Sequence, residues 1–524
     1  MSAFSSGSSI LIKFQDAAIF IALACALWGV SIYDLTTSKK PPPPVPVGPA
    51  EESEPPAPPP PEIVPPQETI DPLPRIQVVF DARSDLGRMG VLTTSGDPEN
   101  TGDDNLRMTY ARDGNTNNTW VSVDGETALY GSSSGTGRMT HRETAKGKYE
   151  SEWKYRDIRF SQTVEIVPGD VSRRLDTLRI TFAAKNEGTS DHLVGSRFMI
   201  DTLIGGNDGV PFIVAGEQRL VTDAVTFGSS KVPDFVRALQ NASLTNPGVI
   251  VDIGLNASDL DRPDEVTLTH WPGGDALWLY DRTRSLGGDS AAGLYFNPTT
   301  LPPSQMRSMG FTYGLGSISS TKSKNSRLSL TAGGPFHAAG SFWLVALVQE
   351  PQSGTALEIK LPPGLKLSAG HSASKSVSGN EKFSQTSWLV VSEPSSIGDH
   401  EIRVNLTPGD LEERQIIKIQ PPLAKLTVRS PDKATAGKAF WVSALIRNPK
   451  QGQTVELILP KGLSFTADHA AQKSVAEKQD YVQVNWLVKS HARAMGVHRL
   501  LVNLTPDGSS ADCAVALQVG NIID

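Results

Sequence analysis

Ser341 to Gln349 reads SFWLVALVQ, and 98 residues further on Ala439 to Arg447 reads AFWVSALIR. The same offset continues without a gap. Leu361-Pro362 and Gly364-Leu365 align with Leu459-Pro460 and Gly462-Leu463, Trp388-Leu389-Val390 aligns with Trp486-Leu487-Val488, and VNLTP recurs at 404–408 and 502–506. Self-similarity at a fixed period marks a duplicated folding unit. Within each copy, apolar and polar residues alternate, which places one face of a strand in a core. Strands are expected at 327–332, 341–349, 356–362, 384–392 and 398–407, and at the matching positions of the second copy. About seven strands in about 95 residues read as an immunoglobulin-like sandwich. Trp388 and Trp486 are expected in the two cores, and neither copy carries a cysteine pair.

The same alternation fills the region upstream. IQVVF at 76–80, TWVSVDG at 119–125, RFSQTVEIV at 159–167, LDTLRITFAAKN at 175–186 and HLVGSRFMIDTLI at 192–204 are separated by turn residues such as Pro168-Gly169-Asp170. VIVDIGL at 249–255, VTLTHW at 266–271 and ALWLY at 276–280 follow, and only PDFVRALQN at 233–241 reads as a short helix. No β-α-β rhythm is present, so residues 75–325 are expected to form one large antiparallel β-sandwich.

The N-terminal end is different in kind. AAIFIALACALWGVSIY, Ala17 to Tyr33, is free of charge and lies between Asp16 and Asp34. At 1.5 Å per residue such a run spans about 25 Å, near the lower limit for a bilayer crossing. Trp28 and Tyr33 suit an interfacial end. Ala22, Ala24, Ala26 and Gly29 form a small-residue set that would let a partner helix approach. Two other readings stay open: a cleaved signal segment after Ala22-Leu23-Ala24, and a lipid on Cys25. Residues 41–74 then contain 16 prolines in 34 positions, a solvated polyproline spacer. The domain plan is a tail (1–16), a transmembrane anchor (17–34), a Pro-rich linker (35–74), a large β-sandwich (75–325), and two immunoglobulin-like domains (326–421 and 422–521). The fold class is therefore mainly β, with a single N-terminal transmembrane helix.

Formal net charge is −7 with pI near 5.8, which argues against nucleic acid as a partner. Cys25 and Cys513 are the two cysteines, one inside the apolar run and one near the C-terminus, so an intrachain disulfide is not expected. HExxH, CxxC and the Walker lysine are all absent, and no catalytic residue is assigned. GSSSGTGR at 131–138 reads as a loop, and the basic run from Arg138 to Lys148 as an exposed hairpin.

The most distinctive loop is DTLIGGNDGVPF, Asp201 to Phe212. Asp201, Asn207 and Asp208 could supply oxygens to calcium, since a hard cation takes several oxygens from a compact loop. The same stretch also reads as a tight turn whose Asx side chains cap their own backbone. Calcium is the one cofactor considered. Trp120, Trp153, Trp271 and Trp278 are candidates for a ligand platform, with core positions as the competing reading.

"LP-x-GL", a Trp strand and "G-x-H-x-x-x-V-x-L" resemble the tandem immunoglobulin-like modules of bacterial surface and adhesion-type proteins. HLVGSRFMIDTLIGGNDGVPFIVAG, at 192–216, looks like stretches of uncharacterised extracytoplasmic bacterial β-domains, and resembles more distantly the large sandwiches of carbohydrate-active proteins. These resemblances imply a protein anchored in a bacterial cytoplasmic membrane through residues 17–34, with its domains in the periplasm or outside the cell. Its expected role is to bind or scaffold another envelope protein or a membrane complex. A carbohydrate-binding or carbohydrate-processing sandwich, with polysaccharide as the ligand, is the alternative.

Overall fold

The computed structural model describes residues 73–519 apart from 83–85, 95–100, 138–140, 258–259, 274–276, 304, 323–325, 380, 409–410, 422–424, 448, 451, 476–480, 506–508 and a few side chains at their edges. The expected anchor, its small residues Ala22, Ala24, Ala26 and Gly29, Cys25 and nearly all of the proline linker lie outside the described residues. Among the described residues no helix is long and apolar enough to cross a membrane. Regular structure there is β-strand throughout, with two short 3-10 turns at Thr101–Asp103 and Ser229–Lys231.

The first large body is built from two antiparallel sheets. One has eight strands, in the order Phe212–Val214, Phe235–Leu239, Ile250–Gly254, Met306–Leu315, Leu175–Asn186, Ile158–Pro168, Lys148–Tyr155 and Arg142–Ala145. The other has six, in the order Val225–Gly228, Glu265–His270, Ser290–Leu301, His192–Thr202, Asn118–Val123 and Glu126–Leu129. A two-stranded ribbon, Ile76–Phe80 with Met89–Thr93, stands beside them. The strand Leu175–Asn186 shows why the sheets face each other. Leu178, Ile180, Phe182 and Ala184 are buried at every second position, while the residues between them are half-exposed. Phe182 meets Phe198 of the other sheet edge-on at 5.3 Å, and Phe198 in turn meets Phe296 and Phe311. These rings tie both sheets into one core.

Two local expectations are corrected. PDFVRALQN does not form a helix; Phe235–Leu239 is a strand, paired with Phe212–Val214 on one side and Ile250–Gly254 on the other. All five of its residues are buried, so it needs ladder partners on both sides and a cover on both faces. A helix at this place would leave its neighbours' backbone groups unpaired. ALWLY is likewise not a strand where it is described; Trp278 to Tyr280 form an irregular crossing held by Tyr295, whose hydroxyl donates to the Trp278 carbonyl at 2.9 Å.

The two copies of the repeat fold alike, each as a two-sheet, immunoglobulin-like sandwich. In the first, one sheet has the order Ser319–Lys322, Arg327–Gly333, Ser341–Gln349, Phe383–Ser392, Leu365–Leu367; the other runs Ser374–Ser376, Ala356–Lys360, Gly398–Thr407, Leu411–Ile419. The second repeats eight of these strands at the offset of 98, so that Ala439–Arg447 pairs with Tyr481–Ser490 as Ser341–Gln349 pairs with Phe383–Ser392; it has no counterpart of Ser319–Lys322 among the described residues and adds Lys433–Thr435, parallel to Ser509–Gln518. Trp388 and Trp486 are fully buried. The Trp388 indole donates to the Ser372 carbonyl at 2.9 Å, and that of Trp486 to the Ala470 and Ala471 carbonyls at 3.1 Å. Gly364 and Gly462 take positive φ, 87° and 93°, at the same tight turn, a conformation that favours glycine.

Candidate functional sites

Sandwich and first module meet across an apolar joint. Ile213, Leu220, Phe235, Leu239, Leu244 and Ile250 form one buried cluster with Val345, Leu347 and Phe383 of the first module, and Trp343 packs at its edge. Polar bonds frame it. The Gln385 amide donates to the Val214 and Glu217 carbonyls at 2.8 and 2.9 Å, the Gly216 N–H donates to Ser387 Oγ at 2.8 Å, and the Leu244 N–H donates to Gln349 Oε1 at 2.8 Å. A cavity of about 480 Å³ opens beside this joint, lined by Asp170, Asp176, Asp234, Arg237 and Asp252 among others. Its acids are largely paired. Asp252 accepts from Arg237 at 2.7 Å, and Asp234 accepts from Arg262 and Asn256 at 2.8 and 3.0 Å.

In the second module the equivalent face is open. Adding 98 converts Trp343, Val345, Leu347, Gln385 and Ser387 into Trp441, Ser443, Leu445, Gln483 and Asn485. Trp441 is 54% exposed, Gln483 and Asn485 are exposed, and Ser443 and Leu445 are half-buried. Yet the surroundings of the two tryptophans match. His371 meets Trp343 edge-on at 5.5 Å and His469 meets Trp441 at the same distance; Lys375 and Lys473 lie against His371 Nδ1 and His469 Nδ1 at 3.3 and 3.0 Å. Burial and the Lys375 charge lower the pKa of His371.

The sandwich holds a second candidate. Asp201 ends the strand His192–Thr202, Asp208 lies in the glycine-rich loop that follows, and Asp289 directly precedes the strand Ser290–Leu301. One carboxylate oxygen of each lies within 4.8 Å of the others. Three contacts fix this arrangement. A Cβ on Gly209 would come 2.5 Å from the Gly288 nitrogen, so the two loops cross backbone to backbone only because position 209 is glycine. The Ser290 N–H and hydroxyl both donate to the Asp208 carbonyl, at 2.7 and 2.8 Å. The Asp201 N–H donates to Asn117 Oδ1 at 2.8 Å. Burial pushes the Asp201 carboxyl up to about 7, with Asp289 and Asp208 adding to the rise. Asp208 and Asp289 are raised too, chiefly by burial. His270 Nε2 stands 3.7 Å from an Asp289 carboxylate oxygen.

Of the loop residues read as oxygen ligands, Asp201 and Asp208 come together, while Asn207 is engaged elsewhere. Its amide donates to the Gln240 carbonyl at 2.7 Å, and its Oδ1 accepts from the Gly209 N–H at 3.1 Å. This is the Asx-capped turn that the loop also allowed. Asp289 takes the third place, 81 residues beyond Asp208, and no spacing rule could have paired them.

The four tryptophans do not make one platform. Trp153 is a core residue, stacked on Tyr155 at 5.5 Å. Trp120 is half-buried, on the strand Asn118–Val123. Trp271 donates to the Thr116 carbonyl at 3.3 Å, and Trp278 packs edge-on against Tyr295. No ring contact joins any two of the four among the described residues.

No protein family matches the chain, and no curated protein matches it. Among solved structures it is similar to a provisionally assigned aldose 1-epimerase from Escherichia coli K12, at 8% identity, covering 46% of this chain and 99% of that one with a TM-score of 0.24. An I-band fragment of titin gives 7% identity, 59% and 99% coverage and a TM-score of 0.20. An alpha-2-macroglobulin mutant from Salmonella gives 8% identity, 85% and 40% coverage and a TM-score of 0.17. Scores this low carry no functional argument.

Proposed function

We propose that the protein is a binding or scaffolding component, held to a bacterial cytoplasmic membrane by residues 17–34 and engaging another envelope protein with its extracytoplasmic modules. The observation that supports this reading is the contrast between the two repeats. One sheet face buries a folded body's apolar patch in the first copy; the same face, with the same tryptophan and glutamine, is open in the second. An exposed tryptophan beside the half-buried Leu445 and the exposed amides of Gln483 and Asn485 has the make-up of a protein-docking centre. Its expected occupant is a β-rich protein domain offering an apolar strand face, as Phe235–Leu239 offers one to the first module.

The test is in-cell cross-linking of the full chain, followed by purification. Trp441→Asp with Leu445→Asp should abolish a cross-linked partner that Arg499→Glu, on the other sheet, leaves in place. Capture insensitive to the Trp441 face, or cross-linking only between copies of this chain, overturns the reading.

A further inference from the structure

We propose that Asp201, Asp208 and Asp289 bind a hard divalent cation, Ca²⁺ by preference. This goes beyond the scaffolding reading and does not depend on it. Asp201 carries the argument. Its side chain is 1% exposed, and neither carboxylate oxygen has a hydrogen-bond partner among the described residues. Asp208 Oδ1 is also buried without a partner. The Thr116 hydroxyl is near enough to favour the ionised form of Asp201, but it lies outside hydrogen-bonding geometry to either oxygen and is itself buried unpaired. Buried carboxylates elsewhere in the sandwich, Asp234 and Asp176, do have donors. A buried carboxylate without donors, facing two others, is costly as it stands. A cation would remove that cost.

The donor set favours Ca²⁺. Mg²⁺ demands near-ideal octahedral geometry at about 2.0–2.1 Å, whereas Ca²⁺ accepts carboxylates in flexible arrangements at about 2.3–2.6 Å. The three aspartates come from separate loops and strand ends, and one oxygen of each lies within 4.8 Å of the others, close enough to share one such ion. Waters would fill the remaining positions beside Asp208 and Asp289, which are only half-buried.

The experiment uses the purified full chain, freed of metal with chelator. Terbium luminescence, sensitised through Trp271, whose backbone N–H donates to the Asp289 carbonyl at 3.0 Å, should saturate at one ion and be displaced by Ca²⁺ more readily than by Mg²⁺. Ca²⁺ at about 2 mM should raise the melting temperature of the sandwich by at least about 3 °C. Asp201→Asn and Asp289→Asn should each lose both responses, while Asp512→Asn in the second module keeps them. The proposal is overturned if wild type shows neither response. It is equally overturned if the two responses survive Asp201→Asn and Asp289→Asn, which would place the ion elsewhere.

Discussion

Replacing Val345 with serine puts at the joint the residue that the second module carries at the same place, Ser443. Val345 is fully buried in the cluster that includes Ile213, Phe235 and Leu239. Withdrawing a fully buried valine forfeits about 1.5–3 kcal/mol. A buried hydroxyl without a partner adds about 1–3 kcal/mol by mutational measure. The sum expected for Val345→Ser is about 3–4 kcal/mol, since a serine that finds a backbone carbonyl recovers part of the second figure. The reciprocal Ser443→Val acts at a half-buried position on the open face and should fall within about 0.5 kcal/mol of wild type. Urea unfolding followed by tryptophan fluorescence reads the difference. A chain with several cores need not unfold in one step, so the transition of the sandwich and first module is followed separately from that of the second. Val345→Ser should lower the midpoint of the first transition with its slope unchanged, and leave the second where it was. If Val345→Ser shifts its midpoint no more than Ser443→Val does, the joint is not the buried contact described, and the contrast between the repeats loses its meaning.

Two further predictions test local features of the sandwich. His141 stacks on Phe80 at 3.8 Å and donates from Nε2 to Gln162 Oε1 at 2.8 Å, and burial lowers its pKa to about 4. The unfolded chain, with an imidazole near 6.5, binds the extra proton first; the stability is therefore complete above about 6.5 and is lost as pH falls toward 4, by at most about 3 kcal/mol. His141→Phe should flatten the slope of unfolding free energy between pH 5 and 6.5, and an unchanged slope would assign it to other groups. Gly209→Ala should destabilise the sandwich by about 1–3 kcal/mol, because the new Cβ meets the Gly288 backbone rather than a side chain that can yield. Gly206→Ala, which meets nothing within 4 Å, should stay within about 0.5 kcal/mol in the same denaturation assay.

Much of the architecture could be read from residue order. Leu175–Asn186, Ser341–Gln349 and Gly398–Thr407 occupy the residues expected of them, because alternation of apolar side chains is a local property that a sheet with one buried face requires. The offset of 98 carried over to the register of strand pairing for the same reason. Reading failed at Phe235–Leu239, where a sequence compatible with a helix is held in a strand by neighbours on both sides and the first module above it. The acidic site was half legible. Asp201 and Asp208 belong to one loop, but Asp289 arrives from another strand, and Asn207 is spent on its own turn.

The sequence by itself determined that two modules are copies, that each buries a tryptophan, and which side of their alternating strands faces the core. It could not determine which outer faces are covered. Gln385 and Gln483 occupy the same position in the repeat, one buried at a joint and the other exposed. The physical reason is that a core-facing side is chosen by the strand's own two-residue period, whereas burial of the outer side depends on a second body that the strand does not encode. Only the tertiary structure brings that body, and with it Asp289, into place.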